Sequence, residues 1–190
     1  DTLQSEEGLY ALKKNARTLK ERAVLSDFTF MESIHAKTYG TILISLNTFK
    51  DIEEIYTWMN NDRRMQFKAK KINEIYQNGT PMQVKVASVF LEGILYYSNF
   101  FIPLWYRGQN KLANLAELIK LVIRDESVHG TYLGYKFRQD FNELSITEQE
   151  NFTNWMYSFL EELLDNEFAY TEEVYSEIGL VEDIKTFVKY

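Results

Sequence analysis

The chain has 190 residues, of which 45% are hydrophobic, so it can build a substantial core and is too apolar for a disordered segment. Its formal net charge of −7 argues against nonspecific nucleic-acid binding, which depends on a positive surface. The absence of cysteine excludes disulfides, thiolate metal sites and cysteine nucleophiles, and it slightly favours a cytoplasmic protein.

Helical periodicity dominates the chain, and no stretch shows a convincing alternating pattern of a strand. A capping box of Thr18 and Glu21 predicts a helix over 19–47. Shorter helices are predicted over 50–60 and 62–77. The sequence therefore predicts an all-α fold.

The second half begins with Thr80 as a helix N-cap and Pro81 as the first helical residue. We expect this helix to reach about residue 105, with Pro103 kinking or ending it, and a loop to follow over 107–110. The apolar run 86–106 contains Glu92, and an acidic group is costly within a bilayer. We therefore expect no membrane span.

A further helix is predicted over 110–140, and a capping box of Ser145 and Glu148 predicts the start of the next, which runs to about 176. Gly179 separates it from a last helix over 181–189. With only two prolines and eight glycines the chain contains no evident linker, so we expect one domain over 1–190. Its ends, Asp1 without an initiator Met and Tyr190 without a polar tail, suggest a domain trimmed from a longer protein.

Two helices carry polar residues on stripes that are otherwise apolar. In the first, the residues spaced by three or four are Phe28, Glu32, His35, Tyr39, Ile42 and Leu46. In the other, they are Leu112, Leu115, Ile119, Val122, Glu126, His129 and Leu133. Such spacing defines one face of an α-helix, and we expect both faces to be buried. The chain has only two histidines, and each closes a Glu-x-x-His motif.

A third carboxylate, Glu92, stands alone in the most apolar helix. One Glu from each of two helices and a Glu-x-x-His from each of two others is the ligand set of ferritin-like di-metal bundles. Two Mn or two Fe ions per chain suit these mixed oxygen and nitrogen donors. The pattern needs one more carboxylate, and Asp1 is the candidate.

Simpler interpretations exist for each of these residues taken singly. A Glu-x-x-His motif is usually a solvated pair on a helix surface, and a buried Glu is usually paired with Lys or Arg. Tyr39 would then be a packed aromatic residue. The di-metal interpretation would be wrong only if all three explanations held at once, on stripes that are otherwise apolar. The di-metal interpretation is therefore favoured.

The segments that carry these residues resemble a known family. DTLQ, FMESIHAKTY, VASVFLEG, YYSNFFIPLW and LIKLVIRDESVHG are similar to the small, radical-generating subunit of class Ib ribonucleotide reductase. The resemblance covers most of the chain and is weakest over 5–17. It implies a ferritin-like helical bundle with a di-metal site in its core.

The resemblance also implies a role for each matching position. The metal ligands would be Asp1, Glu32, His35, Glu92, Glu126 and His129. Tyr39 would become a stable neutral radical. Asp125 would hydrogen-bond a ligand histidine, here His35, and help to carry the radical outward; its simpler interpretation is a surface partner of Arg124 or of a neighbouring Lys. Phe100 is a candidate for the wall that shields the radical, or plain core packing.

The implied activity is that of ribonucleoside-diphosphate reductase, in which the radical passes to a separate large catalytic subunit. A homodimer is expected, together with a flavodoxin-like activator if the metal is manganese, and neither nucleic acid nor membrane as partner. The family usually has Phe where this chain has Tyr96. We interpret Tyr96 as a packed aromatic residue, with hydroxylation near the metals as the alternative.

Three other functions compete with this one. A different ferritin-like di-metal oxidase would share the ligands, although Asp1 and Tyr39 favour the reductase subunit. An iron-storage bundle would take up many irons per chain. A helical interaction domain with buried ion pairs would bind no transition metal.

Overall fold

The computed structural model describes residues 2–189, and all secondary structure within that range is helical. Asp1 and Tyr190 lie outside the described residues, and so does the candidate ligand at Asp1. Residue contacts divide the chain into two compact units, 1–84 and 85–190. The single domain over 1–190 stays a prediction.

The first unit contains a π-helical segment followed by four α-helices and the start of a fifth. In chain order they are the π-helical segment Gln4–Gly8, α1 (Leu9–Lys14), α2 (Leu19–Leu46), α3 (Phe49–Asn61), α4 (Arg63–Asn78) and α5 (Pro81–Phe90). The π-helical segment and α1 pack on α2. Leu9, Leu25 and Ile72 are fully buried there, whereas α3 contributes no buried residue.

The second unit takes in the rest of α5 and carries the remaining helices. They are the π-helical segment Leu91–Leu95, α6 (Tyr97–Gly108), α7 (Ala113–Phe141), α8 (Ile146–Tyr175), a 3₁₀ turn at Ser176–Ile178 and α9 (Val181–Lys189). Helix α6 packs on α7 and α9, and α8 packs on α9. A cluster around Leu180, Ile184 and Val188 joins α9 to the aromatic side chains of α6.

The helix starts follow the predicted caps closely. Ser145 and Glu148 form a complete capping box, and the Thr80 hydroxyl accepts from the Gln83 N–H at 3.3 Å. At Thr18 only half of the box forms. The Thr18 hydroxyl accepts from the N–H of Glu21, but the Glu21 carboxylate accepts from the N–H of Arg17 instead.

Pro103 was expected to kink or end its helix, and the expectation that it ends the helix was wrong. Helix α6 continues through Pro103 to Gly108, so the predicted loop over 107–110 begins later. Asn110 and Leu112 have positive φ angles of 58° and 49°, and the next helix starts only at Ala113. Pro103 is the seventh residue of α6, so its missing N–H leaves one carbonyl of the preceding turn without its helical partner.

The predicted stripe on α2 is buried over only part of its length. Phe28, Glu32 and His35 are buried, but Tyr39 is half-buried and Leu46 is 52% exposed. We expected the whole face to be buried, but its burial ends after His35. On α7 the stripe is buried from Ile119 to Leu133.

Pro81–Gly108 is the one stretch among the described residues with the length and composition of a membrane-crossing helix. Half of its apolar window is buried inside the chain, and the core helix of a soluble protein meets the same criteria. This stretch is weak evidence for a membrane span.

Candidate metal centre

The second unit brings three of the predicted ligands together. Glu92, Glu126 and His129 each present one ligand atom, and these atoms lie within 4.8 Å of one another. His129 Nδ1 is 3.3 Å from Glu126 Oε2 and 3.5 Å from Glu92 Oε2. All three side chains are buried.

Helical geometry explains half of this arrangement. Glu126 and His129 are three residues apart on α7, so both side chains project from one face of the helix. That face carries Ile119, Val122 and Leu133 into the core, and the two polar side chains are buried with them. The burial of Glu126 and His129 therefore follows from the apolar residues that share their face of α7.

The position of Glu92 depends on an irregular backbone. Glu92 is the second residue of the π-helical segment Leu91–Leu95, which interrupts the helix between α5 and α6. π-Turns inside helices are rare and are frequently found at functional sites. The π-turn changes the direction of Glu92 relative to a regular helix, and here Glu92 faces His129.

The first unit holds the other Glu-x-x-His pair. Glu32 Oε1 lies 3.6 Å from His35 Nδ1, and both side chains are buried on α2. Glu32 is fully buried although it is charged in its ordinary state. A buried carboxylate normally requires hydrogen bonds or a cation.

The donor atoms fit a transition metal. Carboxylate oxygens and imidazole nitrogens suit Mn and Fe, whereas Mg and Ca favour oxygen donors alone. The chain has no thiol to favour zinc or copper. The buried Glu92, Glu126 and His129 would hold such an ion with their oxygen and nitrogen atoms.

Tyr39 and Asp125 lie beside these ligands in the chain, and both are less buried than the ligands. Tyr39 is half-buried, one helical turn beyond His35. The Asp125 side chain is 23% exposed, and its Oδ1 lies 3.7 Å from Nε of Arg124. This contact agrees with the simpler interpretation, in which Asp125 is a surface partner of Arg124. A surface pair of this kind contributes little to stability. The radical-transfer role of Asp125 stays a prediction.

Aromatic side chains follow Glu92 in the chain and pack on one another. The buried Phe100 ring lies 6.1 Å from that of Tyr96 and 5.6 Å from that of Tyr97, between ring centroids. Burial raises the pKa of the Tyr97 phenol above its usual value of 10.0, and the charge of Glu126 raises it further. Tyr97 therefore stays protonated across the physiological pH range.

Comparison with known proteins decides the family. The sequence profile described as "Ribonucleotide reductase, small chain" matches residues 1–190. The chain belongs to this family.

Two relatives of the ribonucleotide reductase small chain family illustrate the match. The chain is 41% identical over 190 residues to the ribonucleoside-diphosphate reductase 2 subunit beta of Escherichia coli K12. It is 40% identical to the subunit beta nrdF2 of Mycobacterium tuberculosis H37Rv. It spans 60% and 59% of the length of these relatives, respectively.

Solved structures give the same result. The chain superimposes on the crystal structure of Streptococcus sanguinis dimanganese(II)-NrdF with a TM-score of 0.97 and 56% identity, covering 100% of this chain and 67% of that one. A putative class I ribonucleotide reductase from Bacillus halodurans matches with a TM-score of 0.88 at 22% identity, covering 98% and 70%, which shows the fold alone. The predicted all-α, ferritin-like fold is confirmed.

One buried acid was not singled out from the sequence. Glu167 on α8 is fully buried and accepts a hydrogen bond from the hydroxyl of Ser98 on α6. A signal for it existed. Phe159, Leu163, Glu167 and Tyr170 follow a spacing of three and four, so the rule that found Glu126 would also have found Glu167.

Proposed function

We propose that this chain is the radical-generating part of a ribonucleoside-diphosphate reductase small subunit of class Ib. The buried cluster of Glu92, Glu126 and His129 is the observation that carries the proposal. Family membership supports it, and so does the likeness to a NrdF structure named as dimanganese(II). Since the chain spans about 60% of its curated relatives, activity and partners remain part of the proposal.

In this proposal two Mn or two Fe ions are bound per chain. The ligands are Glu32 and His35 from α2, Glu92 from the π-helical segment, and Glu126 and His129 from α7, with Asp1 as the sixth. Both Glu-x-x-His pairs have the helical spacing that directs two donors to one ion.

A metal pair held by these ligands would, once oxidised, supply the one-electron oxidising power for Tyr39 by accepting its electron. The phenol of Tyr39 loses its proton from the hydroxyl oxygen and becomes a neutral radical. In this proposal the buried Phe100 and its apolar neighbours exclude water and reductants from the radical. Asp125 fixes the orientation of a ligand histidine by hydrogen bonding, as such carboxylates commonly do.

We further propose a homodimer in the cytoplasm that delivers the radical to a separate large catalytic subunit. A flavodoxin-like protein would act as activator if manganese is the metal used. The negative charge of −7 supports the expectation that nucleic acid is not a partner. The lack of cysteine agrees with a division of labour in which the large subunit supplies the thiols.

Electron paramagnetic resonance tests the proposal. Protein loaded anaerobically with Fe(II) and exposed to air should show a tyrosyl signal, and Tyr39→Phe should abolish it. The matched control is Tyr135→Phe, because Tyr135 is an exposed residue of α7 with 60% of its surface accessible. Tyr135→Phe should keep the full signal.

The remaining outcomes separate the competing functions. A tyrosyl signal that survives in Tyr39→Phe contradicts the assignment of the radical. An oxidised di-iron centre without any radical favours another oxidase, and uptake of many irons per chain favours storage. Protein that binds neither Mn nor Fe favours the helical interaction domain.

A further inference from the structure

The π-helical segment Leu91–Leu95 must be held in place by something outside itself. A π-turn has poorer intrinsic stability than an α-helix, which is why it is rare. If the segment returned to an α-helix, the residues after it would rotate by about 100° relative to those before it and shift by ~1.5 Å. Contacts made just after the segment therefore distinguish the two backbone registers.

Such contacts occur at the first turn of α6. Ser98 is fully buried, and its hydroxyl donates a hydrogen bond to the carboxylate of Glu167 on α8. The next residue, Asn99, accepts through its side-chain oxygen from the hydroxyl of Tyr170 at 3.1 Å and from that of Tyr175 at 3.3 Å. Two consecutive residues after the π-helical segment are thus bonded to α8.

A rotation of about 100° would break both contacts at once, because it would turn Ser98 and Asn99 away from α8. The hydrogen bonds consequently exist only while Leu91–Leu95 is π-helical. Glu92 lies inside that segment, so its direction depends on the same register. The contacts of α6 with α8 and the placement of Glu92 are two results of one backbone geometry.

The chemistry of Glu167 also favours a positioning role. A fully buried carboxylate is expensive to desolvate, and well-packed apolar residues are often as stabilising or more so. Buried polar groups are instead able to select one packing register over another. The Ser98–Glu167 bond is placed to do so here, because it joins the first turn of α6 to α8.

We propose that Glu167 and Ser98 are positioning residues that hold Leu91–Leu95 in the π-helical register and thereby aim Glu92 at the metal. This inference rests on the proposed function as far as the metal is concerned. Its structural half, the register of the segment, is independent of any metal. Glu167 acts through Ser98 and the backbone rather than on the metal itself.

The test measures Mn(II) binding by the metal-free protein, together with amide hydrogen exchange over residues 91–98. Glu167→Leu should bind Mn(II) about 10–100-fold more weakly, the usual effect of losing a residue that orients a ligand. The rate of amide hydrogen exchange over residues 91–98 should also change in Glu167→Leu. Glu167→Gln should behave like the unmodified protein in both respects, because its amide oxygen still accepts from Ser98.

Thr171→Val is the matched control on α8. Thr171 is as deeply buried as Glu167, but its hydroxyl donates to the main-chain oxygen of Glu167 at 2.9 Å, within its own helix. Its loss should leave Mn(II) binding and exchange over 91–98 unchanged. Ser98→Ala removes only the donor, and it decides the matter if Glu167→Leu does not fold.

Unchanged Mn(II) affinity and exchange in both Glu167→Leu and Ser98→Ala would overturn the inference. So would a loss in Glu167→Gln as large as in Glu167→Leu, since the charge rather than the hydrogen bond would then matter. If the unmodified protein binds no Mn(II), the proposed function fails. The exchange comparison still supports or contradicts the register role in that case.

Discussion

Individual glycines differ in the space that surrounds them. A Cβ atom at Gly8 would lie 2.2 Å from Oε1 of Gln4 and 2.8 Å from the ring of Tyr76. The Tyr76 hydroxyl donates to that same Gln4 oxygen at 2.5 Å, and both side chains are buried. At Gly134, in the interior of α7, a Cβ atom would have nothing within 4 Å. The close packing at Gly8 keeps the π-helical segment Gln4–Gly8 against α4.

Gly8→Ala should therefore lower the free energy of unfolding by about 1–3 kcal/mol, the usual effect of overpacking a rigid core. Gly134→Ala is the matched control and should raise it by about 0.5–1 kcal/mol, because alanine restricts the unfolded chain and favours the helix. Urea denaturation of the two variants measures both effects. A Gly8→Ala protein as stable as the parent would show that Gln4 and Tyr76 move aside freely.

At the level of helices, complete capping boxes occur in elements that bury very different amounts of surface. Helices α3 and α8 both begin with a complete capping box, formed by Thr48 with Asp51 and by Ser145 with Glu148. Helix α8 buries Phe159, Leu163 and Glu167 among others, but α3 buries no residue. The same local device therefore supports a core helix in one case and a peripheral helix in the other.

Ser145→Ala should lower the free energy of unfolding by about 1 kcal/mol at neutral pH, because the first turn of α8 loses its side-chain cap. Two hydrogen bonds hold the pKa of Glu148 below its usual value of 4.5. The Ser145 hydroxyl has the larger effect and the Ser145 N–H the smaller one. A depressed carboxyl pKa stabilises the folded state fully above pH 4.5 and loses that effect as the pH falls through the lowered pKa.

Thermal unfolding between neutral and acidic pH measures this effect, and Thr48→Ala is the control. Loss of the α3 cap should mostly increase local amide exchange in α3, since that helix shares little buried surface with the rest. The difference between Ser145→Ala and the parent should shrink at low pH. An unchanged difference would contradict the assigned role of Glu148.

For the whole molecule, metal binding and folding should be coupled. Glu32, Glu92 and Glu126 are buried carboxylates, and a bound cation offsets the cost of burying their charge. A ligand that binds only the folded state adds about 2.7 kcal/mol to stability at a concentration of 100 times Kd. A metal bound at these carboxylates would therefore raise the unfolding temperature, and its removal would lower it.

EDTA treatment should lower the unfolding temperature, and saturating Mn(II) should restore it. Glu126→Ala should remove most of the response to Mn(II), whereas Glu117→Ala on the exposed side of the same helix should keep it. Calorimetry of the parent and both variants, each with EDTA and with Mn(II), measures the coupling. An unfolding temperature that responds to neither EDTA nor Mn(II) would favour the helical interaction domain.

Much of this fold was predictable because its signals are local. Caps at Thr80 and Ser145 and the stop at Gly179, with φ of 72°, involve residues within one helical turn. The two Glu-x-x-His pairs were visible for the same reason. Pro103 and the exposed end of the α2 stripe at Leu46 were not, because both depend on what packs around the helix rather than on the helix itself.

The sequence by itself determined the all-α class, the helix order and the residue types offered to a metal, since periodicity and donor chemistry are properties of short segments. Only the tertiary structure decided that Leu91–Leu95 is π-helical and that Glu167 lies against Ser98. A π-helical segment is by itself less favourable than the α-helical alternative. The contacts of α6 with α8, which join residues far apart in the chain, therefore select between them.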